Sequence, residues 1–185
     1  MRLVPVGAHP HFSHGPGPDA AQRAGRIALV HNGIIENHEE LRAALQARGY
    51  VFTSQTDTEV IAHLIDQHNN GDLLEAVKTA TAQLHGAYAI AVLREHDNRT
   101  IVVRHGAPLL IGVADNACYA ASDASALLQV TRNIVYLEEG DVVDIQLGKY
   151  WVVDREHKAV TRVVKTVHAH SGAAELGPYR HYMQK

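Results

Sequence analysis

The chain has 185 residues, of which 46% are hydrophobic and 20% charged, and its formal net charge is −3. This length and composition predict one globular domain with one substantial core. Lys and Arg are scattered without a run, and the apolar stretches are far shorter than the roughly 20 residues that cross a bilayer, so we expect neither nucleic-acid binding nor a membrane span.

The chain opens with a loop and continues into a short strand. Residues 1–25 look irregular, because the stretch HPHFSHGPGPD contains three prolines and two glycines. Residues 27–30 are apolar and predict a buried strand, which should end at the pair Asn32-Gly33. Both residues of this pair tolerate positive φ, so the pair is typical of a turn.

Three helices are expected next. Apolar residues recur at helical spacing over three stretches, at about 37–48, 57–69 and 72–85. Asn37 with Glu40, and Asp72 with Glu75, have the spacing of capping pairs at the starts of the first and third helices. A brief β segment at 50–53 should separate the first two helices.

From residue 87 the apolar pattern changes to that of strands. Runs such as YAIAVL, TIVVRH and PLLIGVA are separated by polar turn clusters, which predicts antiparallel strands in two stacked sheets over residues 87–153. A short helix at 123–129 should interrupt them. Early helices and a late antiparallel meander indicate an α+β fold, with the three helices packed on one side of the sheets.

Histidine and cysteine residues suggest sites that have simpler explanations. His9, His11 and His14 could bind a metal, but no acidic or cysteine partner stands at ligand spacing, so we expect no metal. Cys118, the single cysteine, lies in an apolar strand pattern without an adjacent base and should pack in the core. One cysteine allows no internal disulfide, and the start of the chain lacks the apolar block of a secretory signal, which indicates the reducing cytoplasm.

Three residues have both a structural and a chemical interpretation. Asn32-Gly33 is most simply a turn, but the Asn32 amide and the Gly33 backbone N–H could also point at one developing oxyanion. Asp57 is most simply a favourable charge at the positive end of a helix, although its carboxylate could also bind a ligand ammonium. Taken singly, these residues leave the function open.

Six segments, in this order, resemble the class II glutamine amidotransferase domain of the isomerising glutamine:fructose-6-phosphate aminotransferases: HNGIIENHEELR, SQTDTEVIAHLI, LHGAYAIAV, RHGAPLLIG, IVYLEEGDVVDI and YRHYMQK. The resemblance covers nearly the whole chain. It implies an N-terminal nucleophile hydrolase-like αββα sandwich, two antiparallel sheets between helical layers, that hydrolyses glutamine without a cofactor. The ammonia would pass to a sugar-isomerase module, the only part that binds fructose 6-phosphate, and the full-length enzyme could form a homodimer.

The resemblance also assigns roles to particular residues. Asn32 and Gly33 would form the oxyanion hole, and Asp57 would bind the α-ammonium group of glutamine. His9, in the element AHPH, would lie at the edge of the site. An oxyanion hole at the end of the first strand would explain why a side-chain amide and a glycine stand there.

The sequence departs from the family at its start. The family's nucleophile is a cysteine that becomes the first residue, and an Arg-Trp-Ala-Thr-His-Gly element binds the glutamine carboxylate, whereas MRLVPVG stands here. We therefore expect residues 1–167 to be a glutaminase domain that is incomplete at its N-terminus and inactive alone, and 168–185 to begin a linker to an absent isomerase module. The alternative is a non-catalytic glutamine-binding or regulatory module, and the coding DNA upstream of Met1 would distinguish the two.

Overall fold

The computed structural model describes residues 10–17, 19 and 26–167 of the chain. The strands within these residues are β1 His11–Ser13, β2 Ile27–Ile35, β3 Gly86–Arg94, β4 Arg99–His105, β5 Leu110–Val113, β6 Cys118–Ala121, β7 Asn133–Tyr136, β8 Val142–Gln146, β9 Lys149–Val153, β10 Ala159–Val160 and β11 Val164–Thr166. The helices are α1 His38–Ala47, α2 Asp57–His68, α3 Leu73–Thr81 and α4 Ala124–Leu127. His9 and the expected linker at 168–185 lie outside the described residues.

The strands form two sheets. The larger has seven strands in the order β1-β2-β3-β4-β8-β9-β10, and the smaller has four in the order β11-β7-β5-β6. Every pair of neighbouring strands is antiparallel. The expectation of an α+β fold with two antiparallel sheets is therefore confirmed.

The seven-stranded sheet buries both of its faces, because successive side chains of a strand point to opposite sides. One face packs against α1, α2 and α3, and the buried residues at this interface include Ile27, Leu29, Ile61 and Ile65. The other face packs against the four-stranded sheet through a second apolar cluster that includes Val102, Val143, Ile111 and Val135. A third cluster, around Leu127, lies between α4 and the four-stranded sheet. The three early helices thus lie on one side of the sheets, as predicted.

The first strands differ from the sequence-based prediction. Strand β2 does not end at Asn32-Gly33 but continues to Ile35, and its pairing with β3 runs without a break from Ile27 to Ile35. Backbone hydrogen bonds hold this continuation, and they do not depend on the apolar pattern that stops at residue 30. Strand β1, in the stretch expected to be a loop, pairs with residues 27–29 of β2. This expectation was wrong for the described residues 11–13.

Two local predictions near the helices were also wrong, and a third was confirmed in part. The Asn37 side chain does not cap α1; it donates to the Gln83 carbonyl (2.8 Å) and accepts from the His85 N–H (3.0 Å). The prediction for α3 was confirmed in part: Asp72 caps the helix by accepting the N–H of Leu74, but without a contribution from Glu75, and the helix ends at Thr81. Residues 50–53 form no strand. At Asn37, contacts with residues far along the chain outweigh the local pattern.

Candidate functional site

The end of strand β2 holds the first predicted site residue, Asn32. Its neighbours His31 and Ile35 are buried on the helix side of the sheet, so Asn32 points its side chain to the other face. There it lines a cleft of about 180 Å³ between the two sheets. The cleft is also lined by Val30, His31, Ala89, Ile90, Ala91, Leu109, Ala120, Ala121 and Ser122. The Asn32 amide is thus exposed in a small, mostly apolar cleft.

Gly33 occupies a position that only glycine fits. Its φ is +138°, and a Cβ built there would lie 2.1 Å from the carbonyl oxygen of Ala87 on β3. A side chain would therefore clash with the backbone of the neighbouring strand, which cannot rotate away. The close approach of β2 and β3 at this point depends on the missing side chain.

The strand register indicates where the Gly33 N–H points. In an antiparallel ladder, residues that exchange hydrogen bonds with the partner strand alternate with residues that do not. The N–H of Glu36 donates to the His85 carbonyl, and Ile35 lies opposite Gly86, so the even-numbered residues of β2 bond to β3. The N–H groups of Gly33 and Ile35 are consequently directed to the opposite edge of β2.

Asp57 lies at that edge. It is the first residue of α2, and its Oδ2 accepts the Ile35 N–H at 2.9 Å. Its Oδ1 lies 3.8 Å from Nδ1 of the buried His31 and 3.5 Å from the Thr58 hydroxyl, which is 3.1 Å from the same His31 nitrogen. The Asp57 side chain keeps 22% of its surface exposed. The carboxylate is therefore fixed in place and still accessible to a small cationic group.

A short loop, residues 53–56, leads into Asp57 and is held by residues that sequence reasoning missed. Thr56 caps α2 by accepting the N–H of Glu59. Glu59 then reaches back to the loop, where its carboxylate accepts the N–H and hydroxyl groups of Thr53 and Ser54. The signal for this contact was present in the spacing of Thr56 and Glu59, which is that of a capping box.

The Glu59 carboxylate is buried and ionised. Burial by itself would raise its pKa, but the His63 imidazole, the Ser54 hydroxyl and the backbone N–H groups of Thr53 and Ser54 outweigh burial and lower the pKa to about 2. The side chain is 3% exposed. The buried carboxylate needs these donors, because it would be left unpaired without them. The Glu59 charge therefore holds the loop in one conformation.

The predicted site residues therefore fall into two groups. Gly33 and Asp57 share one edge of β2, because the odd-numbered N–H groups of the strand point there. The Asn32 side chain lies on the face toward the second sheet, and Asp57 is not among the described residues that line its cleft. His9 lies outside the described residues.

Cys118 has the environment of a packed thiol. It begins β6 and packs against the cluster between the two sheets. Its Sγ donates to the Gly148 carbonyl at 3.3 Å, and burial raises the pKa of the thiol. A raised pKa disfavours the reactive thiolate.

Residues 10–17, 19 and 26–167 contain neither a metal-binding cluster nor a membrane-spanning helix. No group of three His, Cys, Asp or Glu side chains is arranged to hold a metal ion. No helix has the length and apolar character needed to cross a membrane.

Comparison with known proteins identifies relatives of the chain. The family model described as glutamine amidotransferase domain matches residues 9–129. A glutamine–fructose-6-phosphate aminotransferase (isomerizing) of Bordetella pertussis is 59% identical, over 96% of this chain and 28% of its own length. The protein of the same name from Xanthomonas campestris is 48% identical, over 99% of this chain and 29% of its own length. The chain thus spans less than a third of the length of these curated relatives.

Solved structures agree with the fold. The glutamine phosphoribosylpyrophosphate amidotransferase of B. subtilis matches with a TM-score of 0.63 and 29% identity, over 72% of this chain and 30% of that one. A structure described as the allosteric regulatory enzyme of purine biosynthesis matches with a TM-score of 0.60 and 30% identity, over 70% of this chain and 28% of that one. The predicted fold class, an N-terminal nucleophile hydrolase-like sandwich, is confirmed.

Proposed function

The chain belongs to the glutamine amidotransferase domain family, and on this basis we propose that it is the glutaminase domain of an isomerising glutamine:fructose-6-phosphate aminotransferase. Residues 1–167 would be the glutaminase domain, and 168–185 would begin the linker to a sugar-isomerase module. The identity of 59% over 96% of the chain supports this assignment. The chain spans 28% of that relative's length, and we propose on the same basis that it forms part of a whole aminotransferase.

The substrate of the domain in this proposal is glutamine. The Asp57 carboxylate would bind the α-ammonium group, and the family resemblance assigns His9 to substrate binding as well. The position of Asp57 supports this role, because the carboxylate is held by the Ile35 N–H while part of its surface remains open. A charge-assisted hydrogen bond to an ammonium is stronger than a neutral one and suits a substrate with a free amino group.

The proposed chemistry is acyl transfer from the glutamine side chain. The thiol of the nucleophile attacks the amide carbon, negative charge develops on the carbonyl oxygen, and ammonia leaves with the proton taken from the thiol. Water then hydrolyses the thioester to release glutamate. In this proposal the Gly33 N–H donates to that carbonyl oxygen from the edge of β2, and the side chain of the preceding residue, Asn32, turns its amide from the cleft face toward the same oxygen. The family's nucleophile is an N-terminal cysteine whose α-amino group acts as the base. Cys118 does not take this role, because its thiol donates a hydrogen bond to the Gly148 carbonyl and burial raises the pKa of the thiol.

The same assignment suggests the ammonia acceptor, the oligomeric state, the cofactor requirement and the location of the whole enzyme. Ammonia would pass to fructose 6-phosphate in the isomerase module, and the whole enzyme could form a homodimer. No cofactor is needed for amide hydrolysis by a cysteine nucleophile. A cytoplasmic location fits the single cysteine among the 185 residues.

The single observation that carries the proposed site is the Asp57 carboxylate at the end of β2. It accepts the N–H of Ile35, two residues beyond Gly33, on the edge toward which the Gly33 N–H is directed. The ammonium acceptor and one oxyanion donor are therefore within reach of one extended ligand. A bound glutamine must meet both groups at once for its amide to react.

Isothermal titration of the 185-residue chain with L-glutamine tests the proposal. We expect saturable binding of L-glutamine and much weaker binding of D-glutamine, whose ammonium group is placed differently. Equal affinities for L-glutamine and D-glutamine would contradict the proposed binding site. To separate the enzymatic role from the regulatory alternative, the chain is joined behind a leading segment that begins with Cys and contains Arg-Trp-Ala-Thr-His-Gly. Ammonia release by this form supports the glutaminase, whereas binding without hydrolysis supports a regulatory module.

A further inference from the structure

The loop at residues 53–56 immediately precedes Asp57, and two charged side chains from different helices hold its backbone. Arg42 extends from α1, and Glu59 extends from the first turn of α2. Arg42 bonds to carbonyl oxygens of the loop, while Glu59 bonds to its N–H groups. The backbone of the loop is therefore held through its donors and its acceptors at the same time.

Arg42 makes the contacts with the carbonyl groups. Its Nη1 donates to the Ser54 carbonyl at 2.9 Å, and its Nη2 donates to the Thr56 carbonyl at 2.9 Å. The guanidinium carbon lies 4.2 Å from the centre of the Phe52 ring, just before the loop. A planar guanidinium presents two parallel donors, so it fixes the distance between the two carbonyl groups in a way that an ammonium cannot.

Glu59 makes the contacts with the N–H groups. Its Oε1 accepts the Thr53 N–H at 2.8 Å and the Thr53 hydroxyl at 2.9 Å. Its Oε2 accepts the Ser54 N–H at 2.7 Å and the Ser54 hydroxyl at 2.6 Å. Both carboxylate oxygens are thus used for one loop. The ring of His63 stands beside the carboxylate, 3.8 Å from Oε1, and bonds through Nδ1 to the hydroxyl of Ser13 on β1 at 2.8 Å.

We propose that Arg42 and Glu59 are positioning residues for Asp57. They fix the loop that leads into α2, so that the Asp57 carboxylate stays on the Ile35 N–H and faces the ligand. The proposal rests on the proposed function for the role of Asp57 as ammonium acceptor. Burying a carboxylate is costly, but four donors of the loop satisfy this one, and its charge therefore fixes the geometry of the loop.

Amide hydrogen exchange, followed by NMR on the 185-residue chain, tests the proposal without a ligand. The Ile35 N–H donates to Asp57, whereas the next N–H, that of Glu36, donates to the His85 carbonyl in the β2–β3 ladder. The ratio of the two exchange rates therefore reports the position of Asp57 and is insensitive to global unfolding.

Glu59→Gln and Arg42→Lys are the test variants. In both, Ile35 should exchange about tenfold faster relative to Glu36, because a loosened loop lets the Asp57 carboxylate leave the Ile35 N–H. Arg99→Gln is the matched control: it removes a guanidinium bonded to Asp144 between β4 and β8, away from the loop, and should leave the ratio unchanged. If Glu59→Gln does not fold, Arg42→Lys, which keeps the positive charge, decides the question.

An equal increase in exchange at Ile35 and Glu36 in both variants would show a merely structural role and overturn the proposal. Exchange rates at Ile35 and Glu36 that both stay at the wild-type values would overturn it as well. Titration with L-glutamine is the second measurement, and the dissociation constant should rise in both variants and stay the same in Arg99→Gln. A wild-type chain that binds no glutamine would contradict the proposed function, while the Ile35 ratio would still decide whether these residues position Asp57.

Discussion

The Asp57 carboxylate accepts the backbone N–H of Ile35 at 2.9 Å, and this bond joins the start of α2 to the end of β2. The bond forms because the odd-numbered N–H groups at this end of β2 point away from β3 and need another acceptor. It places the carboxylate at the strand edge toward which the Gly33 N–H is directed and leaves part of the carboxylate exposed. A charge at the N-terminus of a helix is also favoured there by the helix dipole.

The first prediction concerns the charge of Asp57. Asp57→Asn keeps an oxygen that can accept the Ile35 N–H but removes the charge that would bind an ammonium group. We expect the dissociation constant for L-glutamine to rise by roughly ten- to a hundredfold, the equivalent of one charge-assisted hydrogen bond. Isothermal titration measures the change. Asp72→Asn, at the N-cap of α3, is the control and should not alter the affinity; equal losses in the two variants would contradict the role of Asp57.

The second prediction concerns the missing side chain of Gly33. Gly33→Ala introduces a Cβ at 2.1 Å from the Ala87 carbonyl, whereas Gly71→Ala, at a φ of +118°, meets no atom within 4 Å. Both variants pay for a positive φ, about 1–3 kcal/mol of unfolding free energy. Gly33→Ala should lose a further 1–3 kcal/mol or so from the clash. Urea unfolding measures both, and equal losses would show that β2 and β3 can move apart at this position.

The third prediction concerns the acid sensitivity of the fold. The pKa of Glu59 is lowered from 4.5 to about 2 in the folded chain, so its contribution to stability is complete above the unfolded value and is lost as the pH falls from about 5 to about 2. The contribution amounts to about 3 kcal/mol. Urea unfolding of the wild type and Glu59→Gln over this range should show a stability difference that shrinks with falling pH.

Glu75→Gln provides the control for this measurement. Glu75 lies on α3, where its exposed side chain pairs with Lys78. This variant should keep the acid-induced loss of stability seen in the wild type, because the pair is exposed and contributes little. A stability difference between wild type and Glu59→Gln that does not depend on pH would contradict the assignment of the ionised state to Glu59.

The core of this fold could be predicted from the sequence because apolar spacing reports burial directly. Ile61 and Ile65 recur at helical spacing, and both are fully buried against the sheet. Strand β2 shows the limit. His31, Asn32 and Gly33 interrupt the apolar pattern, but the backbone continues to pair with β3. Hydrogen bonds between main-chain groups leave no trace in side-chain composition.

Long-range polar contacts were also beyond the reach of local patterns. Asn37 and Glu40 have the spacing of a cap, yet the Asn37 amide bonds to residues 83 and 85, far along the chain. The family resemblance drew attention to Asp57 but not to Glu59, whose partners lie before the helix. The two misses have different causes: the tertiary fold brings distant backbone groups to Asn37, whereas Glu59 stands at capping-box spacing from Thr56 and could have been found from the sequence.

The fourth prediction concerns Cys118. Its thiol is bonded to the Gly148 carbonyl and has a raised pKa, so it should react slowly with a disulfide reagent near neutral pH and rapidly in denaturant. Cys118→Ala should cost about 1 kcal/mol of stability and leave the affinity for L-glutamine unchanged. Thiol titration and calorimetry measure these effects. Loss of ammonia release in a form that otherwise hydrolyses glutamine would make Cys118 the nucleophile.

The last prediction concerns Asn32, and it is made for the chain joined behind a leading segment that begins with Cys. Asn32→Ala removes the amide that would donate to the oxyanion, a group that acts only once negative charge has developed. The turnover number for glutamine hydrolysis should therefore fall by about 100- to 1000-fold while KM changes little. Val30→Ala is the matched control, because Val30 lines the same cleft but has no donor. Similar losses in the two variants would mean that Asn32 only shapes the cleft, whereas a selective loss of turnover in Asn32→Ala would identify its amide as a donor in the transition state.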